Sequence, residues 1–152
     1  MAYDIAVIPG DGIGAAVVDA ASMALVRRRE EFDVLVASNL FGDILTDLGA
    51  GVVGGLGLAP SSNVDPTHEH PSMFEPVHGS AFDIADGGIA NPIGAVRLWA
   101  LLFEHVGEPA VARELTDAVA EQLADPDAPR TPDIGGDSTT AAVAADLRGR
   151  ID

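Results

Sequence analysis

Short apolar strands alternate with helices along this 152-residue chain, and this alternation limits the folds that it can adopt. Residues 3–8 and 32–37 are rich in β-branched and apolar side chains and predict two buried strands. Between them we predict a helix over residues 15–31. Strand–helix–strand order is typical of layered structures, so we predict an α/β fold with a layered sheet and flanking helices. The chain shows no repeat or linker, which favours a single domain over residues 1–152.

The remaining sequence predicts mainly helices. Apolar spacing indicates helices over residues 40–50, 92–106 and 109–124, and a last one from near Ser138 towards Arg148. Residues 51–71 are rich in Gly, Pro, Ser and Asn and predict a loop with a short strand at 56–59. Residues 73–91 predict a mostly irregular segment.

The charge of the chain excludes several classes of partner. Lys and Arg number 8 against 24 Asp and Glu, for a formal net charge of −16. Nucleic acids and anionic membrane surfaces require a basic face, so neither is expected. No stretch reaches the roughly 18 apolar residues of a membrane helix, and no basic region precedes the first apolar run. We therefore expect a cytoplasmic protein.

Two residue types are missing from the sequence, and their absence excludes specific chemistry. All eight basic residues are arginines, so Schiff-base and lysine-relay mechanisms are excluded. The chain also has no cysteine, which excludes disulfides, thiolate nucleophiles and cysteine-ligated zinc.

The first candidate motif is the glycine turn after the first strand. Gly10, Gly12 and Ala15 fit a loose form of the dinucleotide-binding fingerprint, in which glycines let a pyrophosphate approach a helix N-terminus. That fingerprint needs an acidic residue at the end of the next strand, and residues 37–39 (ASN) supply none. A tight turn that requires glycine is the alternative interpretation.

A second candidate is a pair of carboxylates, Asp43 and Asp47, which are four residues apart on a predicted helix. This spacing places both on one face, where like charges repel by roughly 0.2–0.5 kcal/mol. A divalent cation such as Mg²⁺ or Mn²⁺ would offset this repulsion. Two solvated surface acids are the alternative.

The third candidate is the segment 75–83 (EPVHGSAFD), in which a His, a Ser and two carboxylates fall in a predicted loop. A hydrolase triad is not expected, because its members rarely come from one local stretch. A structured loop with a capping histidine is the alternative to a ligand-binding loop. His68 and His70 have the spacing of a metal clip, but without further ligands we expect them to be solvated.

Taken together, these segments resemble the isocitrate/isopropylmalate dehydrogenase family of β-decarboxylating dehydrogenases, and most closely its D-malate/tartrate dehydrogenase branch. The resemblance rests on residues 5–14 (IAVIPGDGIG), 38–47 (SNLFGDILTD), 74–81 (FEPVHGSA), 88–94 (GIANPIG) and 131–136 (TPDIGG). It implies a shortened isopropylmalate-dehydrogenase-like fold and a homodimer.

The resemblance also implies a large internal deletion after Gly14. Family members continue there into a long middle region that carries substrate-binding arginines, a catalytic tyrosine and a catalytic lysine. This chain has no lysine, and its one tyrosine, Tyr3, is in the first strand. No catalytic residue is therefore assigned.

Residue by residue, the resemblance implies two binding sites. Asp43 and Asp47 would ligate the metal, joined by Asp19 from the partner subunit. Asp83 would hold the adenine ribose of the cofactor and, by repelling a 2′-phosphate, would favour NAD over NADP. The other residues expected to line the adenosine side are His78, Gly79, Ser80, Ala81 and Asn91.

The implied reaction is NAD- and Mg²⁺- or Mn²⁺-dependent oxidative decarboxylation of a 2-hydroxy acid of the D-malate, tartrate or 3-isopropylmalate type. Because the substrate arginines and the acid/base pair are missing, we expect this reaction to be impaired in the chain alone. The alternative is a non-catalytic dimer that binds NAD or a cation, or a truncated remnant without a ligand.

Overall fold

The computed structural model describes residues 5–8 and 27–151, of which residues 5–8 are described by their backbone alone. The chain divides into two compact units with a boundary between Val53 and Gly54, and each unit is described separately. Most of the helix predicted over residues 15–31 and the glycine turn at Gly10 and Gly12 lie outside the described residues. Within the described parts, no helix is long and apolar enough to cross a membrane.

The first unit contains a parallel strand pair followed by a helix. Strand β1 (Ile5–Ile8) pairs with β2 (Val34–Ala37) from Ile5↔Val34 to Ile8↔Ala37. A 3₁₀ helix, Arg29–Glu31, precedes β2. Helix α1 (Asn39–Val53) begins directly after β2 and packs against it. The two predicted strands and the helix after them are therefore confirmed. The end of the helix predicted over residues 15–31 is wrong, because residue 28 is not helical and Arg29–Glu31 is a 3₁₀ helix.

The prediction that the second strand is buried is wrong. Side chains at Val34, Leu35 and Val36 are 43–49% exposed. Among the described residues, β2 pairs with β1 along one edge and packs against α1, so its two faces are not both covered. On α1, Leu45 is buried, whereas Leu40, Ile44 and Leu48 are exposed.

The second unit combines an antiparallel strand pair with three helices. Strand β3 (Pro60–Asn63) pairs with β4 (Met73–Pro76), from Pro60↔Pro76 to Asn63↔Met73. Helix α2 (Ile93–His105) packs against both strands and against α3 (Pro109–Ala124). Helix α4 (Thr140–Arg150) follows a 3₁₀ helix at Pro132–Ile134 and packs on α3. Pro109 occupies the first turn of α3, where a missing N–H costs nothing.

Two local predictions in this unit are corrected. Residues 56–59 do not form a strand, because Leu56–Leu58 is a 3₁₀ helix that places Leu58 in the core; the strand follows it at β3. Residues 73–76 are not irregular, because they form β4. Neither strand has the alternating apolar pattern of a half-buried strand, and their pairing depends on backbone hydrogen bonds between distant residues.

The core of the second unit forms where its helices meet the 3₁₀ helix at Leu56–Leu58. Ile93 and Val143 are fully buried, and Leu147 is 1% exposed. Leu58 and Val119 complete this cluster, so every helix of the unit contributes to one packed centre. The segment that carries the candidate cofactor residues of this unit leads into α2 at Ile93, which belongs to this cluster.

Candidate functional site

The two helix acids of the first unit lie on the exposed surface of α1. Asp43 and Asp47 are one turn apart, and both side chains are exposed. In the part of the chain that the structure describes, neither carboxylate accepts a hydrogen bond or joins an ion pair; only the Asp43 carbonyl oxygen is used, by the Thr46 hydroxyl at 3.0 Å. Two unpaired carboxylates on one face are the hard oxygen donors that Mg²⁺ and Mn²⁺ prefer.

The third predicted ligand, Asp19, lies outside the described residues. Among residues 5–8 and 27–151, no group of three or more His, Asp or Glu side chains is arranged to hold a metal ion. The described residues therefore contain at most two of the three predicted metal ligands, Asp43 and Asp47.

The segment after β4 forms a turn in the second unit that exposes several polar groups. Val77 donates its N–H to the Ala59 carbonyl at 3.1 Å, which fixes the start of this segment against the end of the 3₁₀ helix. Ala81 has φ of 42°, and its carbonyl accepts from both Ile84 and Ala85, which closes the turn.

Within this turn, the predicted cofactor residues differ in exposure. His78 is half-buried, and its Nδ1 lies 3.1 Å from the Gly79 carbonyl oxygen. Gly79, Ser80 and Asp83 are exposed, and Asp83 has no side-chain partner among the described residues. The exposed carboxylate can accept hydrogen bonds from ribose hydroxyls, and the exposed hydroxyl can donate or accept one.

Asn91, by contrast, is buried, and its side chain is used by the fold. Its Oδ1 accepts the Ile93 N–H at 3.0 Å, at the first residue of α2. Its Nδ2 donates to Asp133 Oδ2 at 3.0 Å, across 42 residues. These two bonds leave one amide hydrogen, one lone pair of Oδ1 and the backbone of Asn91 for a contact with a cofactor.

Asp133 and Thr140 make structural contacts near Asn91 that the sequence did not reveal. Thr140 donates its hydroxyl to the Ala90 carbonyl at 2.6 Å and its N–H to the Gly88 carbonyl at 2.8 Å. Together with the Asn91–Asp133 bond, these contacts anchor the end of the candidate cofactor loop to the start of α4. The sequence motifs at residues 88–94 and 131–136 were each identified, but nothing in the sequence indicated that they contact each other.

A tight packing contact explains two glycines in the same region. A Cβ atom on Gly57 would lie 2.6 Å from Asp133 Oδ2 and 2.8 Å from Asn91 Cβ. A Cβ on Gly94 would lie 2.9 Å from the Gly57 carbonyl oxygen. Both positions therefore require glycine, since real side chains do not approach this closely.

His68 and His70 are both exposed, as predicted. His68 adopts φ of 58° and stacks on His105, with ring centroids 4.4 Å apart. Their loop is organised by Asp65, whose carboxylate accepts from the Thr67 N–H and hydroxyl and from the His70 N–H. Those hydrogen bonds, led by the Thr67 N–H, lower the pKa of Asp65 to about 2.

Comparison with known proteins decides the family. Residues 14–147 match the family described as isocitrate/isopropylmalate dehydrogenase. The chain belongs to this family. The predicted resemblance and the α/β fold are thereby confirmed.

Similar proteins carry several related names. A probable tartrate dehydrogenase/decarboxylase of Bacillus subtilis is 48% identical over 134 residues, covering 88% of this chain and 37% of that protein. An isocitrate/homoisocitrate dehydrogenase of Thermus thermophilus is 53% identical over 126 residues, covering 83% of this chain and 36% of that protein. The chain thus spans little more than a third of the length of these relatives.

Solved structures agree with this assignment. The crystal structure of isocitrate dehydrogenase from Methylococcus capsulatus superposes with a TM-score of 0.81 at 48% identity, over 88% of this chain and 39% of that one. A β-decarboxylating dehydrogenase from Thermococcus kodakarensis superposes with a TM-score of 0.79 at 32% identity, over 97% of this chain and 49% of that one.

Proposed function

We propose that this chain carries the cation-binding acids and the adenosine-side loop of an NAD- and Mg²⁺- or Mn²⁺-dependent dehydrogenase that oxidatively decarboxylates a 2-hydroxy acid. The substrate would be of the D-malate, tartrate or 3-isopropylmalate type. Membership of the family supports the reaction class, and relatives with tartrate and 3-isopropylmalate dehydrogenase names support the substrate class. The observation that carries the proposal is that the carboxylates of Asp43 and Asp47 have no partner among the described residues.

The cation site would combine both subunits of a homodimer. Asp43 and Asp47 would hold the ion from one face of α1, and Asp19 of the partner subunit would complete the set. A bound divalent cation polarises the hydroxyl and carboxylate oxygens of a 2-hydroxy acid. The role of this chain is to place two oxygen donors one helical turn apart, with no competing ion pair among the described residues.

The cofactor site would be the exposed turn after β4. Asp83 would accept hydrogen bonds from the adenine ribose hydroxyls and would repel a 2′-phosphate, which favours NAD over NADP. His78, Gly79, Ser80 and Ala81 line the adenosine. Asn91 supports this loop through Asp133 and α2 and offers its backbone to the cofactor.

Turnover by this chain alone is proposed to be very weak or absent. The sequence has no lysine, and its arginines lie outside the substrate-binding context of the family. Loss of substrate positioning and of proton transfer each costs orders of magnitude in rate. A non-catalytic, cytoplasmic dimer that binds NAD or a cation is therefore the second candidate, and the same missing residues favour it.

Titration of the cation site tests the proposal directly. Mn²⁺ binding to the full chain is measured by electron paramagnetic resonance for the wild type, Asp43→Asn and Asp47→Asn, with Asp117→Asn on exposed α3 surface as the control. We expect each α1 variant to weaken binding at least tenfold and the control to bind as the wild type does. Equal affinity in all four proteins would contradict the cation site.

Titration with NAD and NADP tests the cofactor loop. We expect NAD to bind more tightly than NADP and Asp83→Asn to reduce that preference, whereas Asp86→Asn in the same turn leaves it unchanged. A loss of binding in Gly12→Val with none in Asp83→Asn would instead favour the glycine-turn site. Oxidation of D-malate, tartrate or 3-isopropylmalate at a rate typical of enzymes would refute the proposed impairment.

A further inference from the structure

A second candidate ligand site lies in the second unit, between α2, α3 and the start of β3. These elements enclose a groove with a volume of about 380 Å³. Small-molecule sites are commonly about 300–1,000 Å³, mostly apolar, with a few polar groups that fix orientation. The groove fits this description, because its apolar walls include Ala100, Leu101 and Ala112. Its polar lining consists of Arg97, Glu104, Arg113 and Thr116.

Arg97 is held in place by the core. Its Nη1 donates to the Leu58 carbonyl oxygen at 2.7 Å, and Leu58 belongs to the buried cluster of the unit. A guanidinium has five N–H donors in a fixed planar arrangement, so this bond orients the group. Its other donors make no hydrogen bond with the described residues. A positioned cation of this kind loses little conformational freedom when it binds a ligand.

Arg113 lines the same groove without a partner. It is exposed, and within residues 27–151 its guanidinium makes no hydrogen bond or ion pair. Its charge is therefore not neutralised by any of the described acids, although the chain has 24 acidic and 8 basic residues. Arg150, for comparison, contacts Asp125 at 2.8 Å and Asp146 at 2.7 Å.

The groove therefore has a local charge opposite to that of the chain. Two arginines and one acid, Glu104, give it a formal charge of +1, whereas the whole chain carries −16. Guanidinium groups match carboxylate and phosphate oxygens in geometry and form charge-assisted hydrogen bonds with them. The neighbouring apolar walls would contact the carbon skeleton of such a molecule.

We propose that this groove binds a small organic oxyanion, with its carboxylate or phosphate group held by Arg97 and Arg113. A carboxylate and a phosphate both present the negatively charged oxygens that guanidinium groups bind, and the experiment below distinguishes them. The site uses no residue of the cation or cofactor sites, so the failure of one proposal leaves the other unaffected.

The test uses the full 152-residue chain, labelled with ¹⁵N, at low ionic strength. Inorganic phosphate, acetate and butyrate are titrated separately while the arginine Nε–Hε resonances are followed by nuclear magnetic resonance. We expect saturable shifts of Arg97 and Arg113, with butyrate binding more tightly than acetate if the carboxylate source is correct. Saturation by phosphate alone identifies the phosphate source. Either result supports the oxyanion site.

Matched variants separate a built site from general attraction of anions. Arg113→Gln removes one guanidinium at an exposed position and should weaken binding about tenfold. Arg148→Gln removes an exposed arginine of α4, outside the groove, and should leave the affinity unchanged. Shifts that do not saturate with any of the three anions, or equal affinities in both variants and the wild type, would overturn the proposal.

Discussion

Substitutions at Asn91 and Asp133 test whether their hydrogen bond anchors the candidate cofactor loop. The two side chains share a hydrogen bond of 3.0 Å, and Asn91 is 6% exposed. Asn91→Ala removes this bond and also leaves the N–H of the fully buried Ile93 without its acceptor. We expect the free energy of unfolding to fall by about 2–3 kcal/mol, since a helix-start acceptor is worth about 1–2 kcal/mol and a partly exposed bond to a carboxylate about 1 kcal/mol.

Variants that replace the amide by a carboxylate, or the carboxylate by an amide, test which side chain donates and which accepts. Asn91→Asp keeps an acceptor for Ile93 but places a second carboxylate against Asp133, so it should destabilise the unit. Asp133→Asn should cost less, because an amide oxygen still accepts from Asn91 Nδ2. The double variant Asn91→Asp/Asp133→Asn reverses the donor and the acceptor and should recover most of the lost stability.

Urea unfolding followed by circular dichroism measures these differences. With a denaturant slope of about 2 kcal/mol/M, Asn91→Ala should lower the midpoint by about 1–1.5 M. Asp86→Asn, in the exposed turn, serves as the control and should unfold as the wild type does. If Asn91→Asp is as stable as the wild type, or if the double variant loses the sum of the two single losses, the inferred pairing is wrong.

Three further predictions concern the second unit. Leu147→Ala, at 1% exposure in the core, should lower the free energy of unfolding by about 2–5 kcal/mol, whereas Val106→Ala at 59% exposure should change it by less than about 0.5 kcal/mol in the same urea experiment. Gly136→Ala should prevent native folding of residues 130–138, because its Cβ would overlap the Arg130 carbonyl. Loss of amide protection from hydrogen exchange in that segment measures the effect. Gly149→Ala, where the added Cβ meets open space, should keep the protection of the wild type. Asp65 should titrate near pH 2 in the folded protein, below its unfolded pKa of 3.8. The stability that its carboxylate contributes is therefore complete above about pH 4 and is lost as the pH falls towards 2. Carboxyl ¹³C shifts measure that titration, and Thr67→Ala should move it to higher pH; an unchanged midpoint would contradict the role of the Thr67 hydroxyl.

Helices were predicted well from sequence because their signals are local. The spacing of Val111, Leu115 and Val119 with Pro109 in the first turn predicts a helix over residues 109–124, which is the range observed for α3. The helix predicted over residues 92–106 is α2, shortened by one residue at each end. Local periodicity and capping determine such elements, so no distant contact is needed to find them.

The strand pair of the second unit could not be predicted in this way. Residues 60–63 (PSSN) have no apolar alternation, and their strand exists because they pair with residues 73–76 across a nine-residue loop. Similarly, the motif at 88–94 predicted Asn91 as a cofactor residue, but the use of its side chain depends on Asp133, 42 residues away. Such partners become visible only when distant segments are brought together.

Some motif residues of the chain are required by the fold, and others are not. Gly57, Gly94 and Asn91 are required by close packing and by hydrogen bonds within the second unit, so their presence is explained by folding alone. The carboxylates of Asp43, Asp47 and Asp83 have no such structural use among the described residues. Exposed acids that the fold does not need add repulsion in a chain of net charge −16. These three acids, rather than the glycines and Asn91, are therefore the residues at which substitution should reveal whether the chain still binds a cation and NAD.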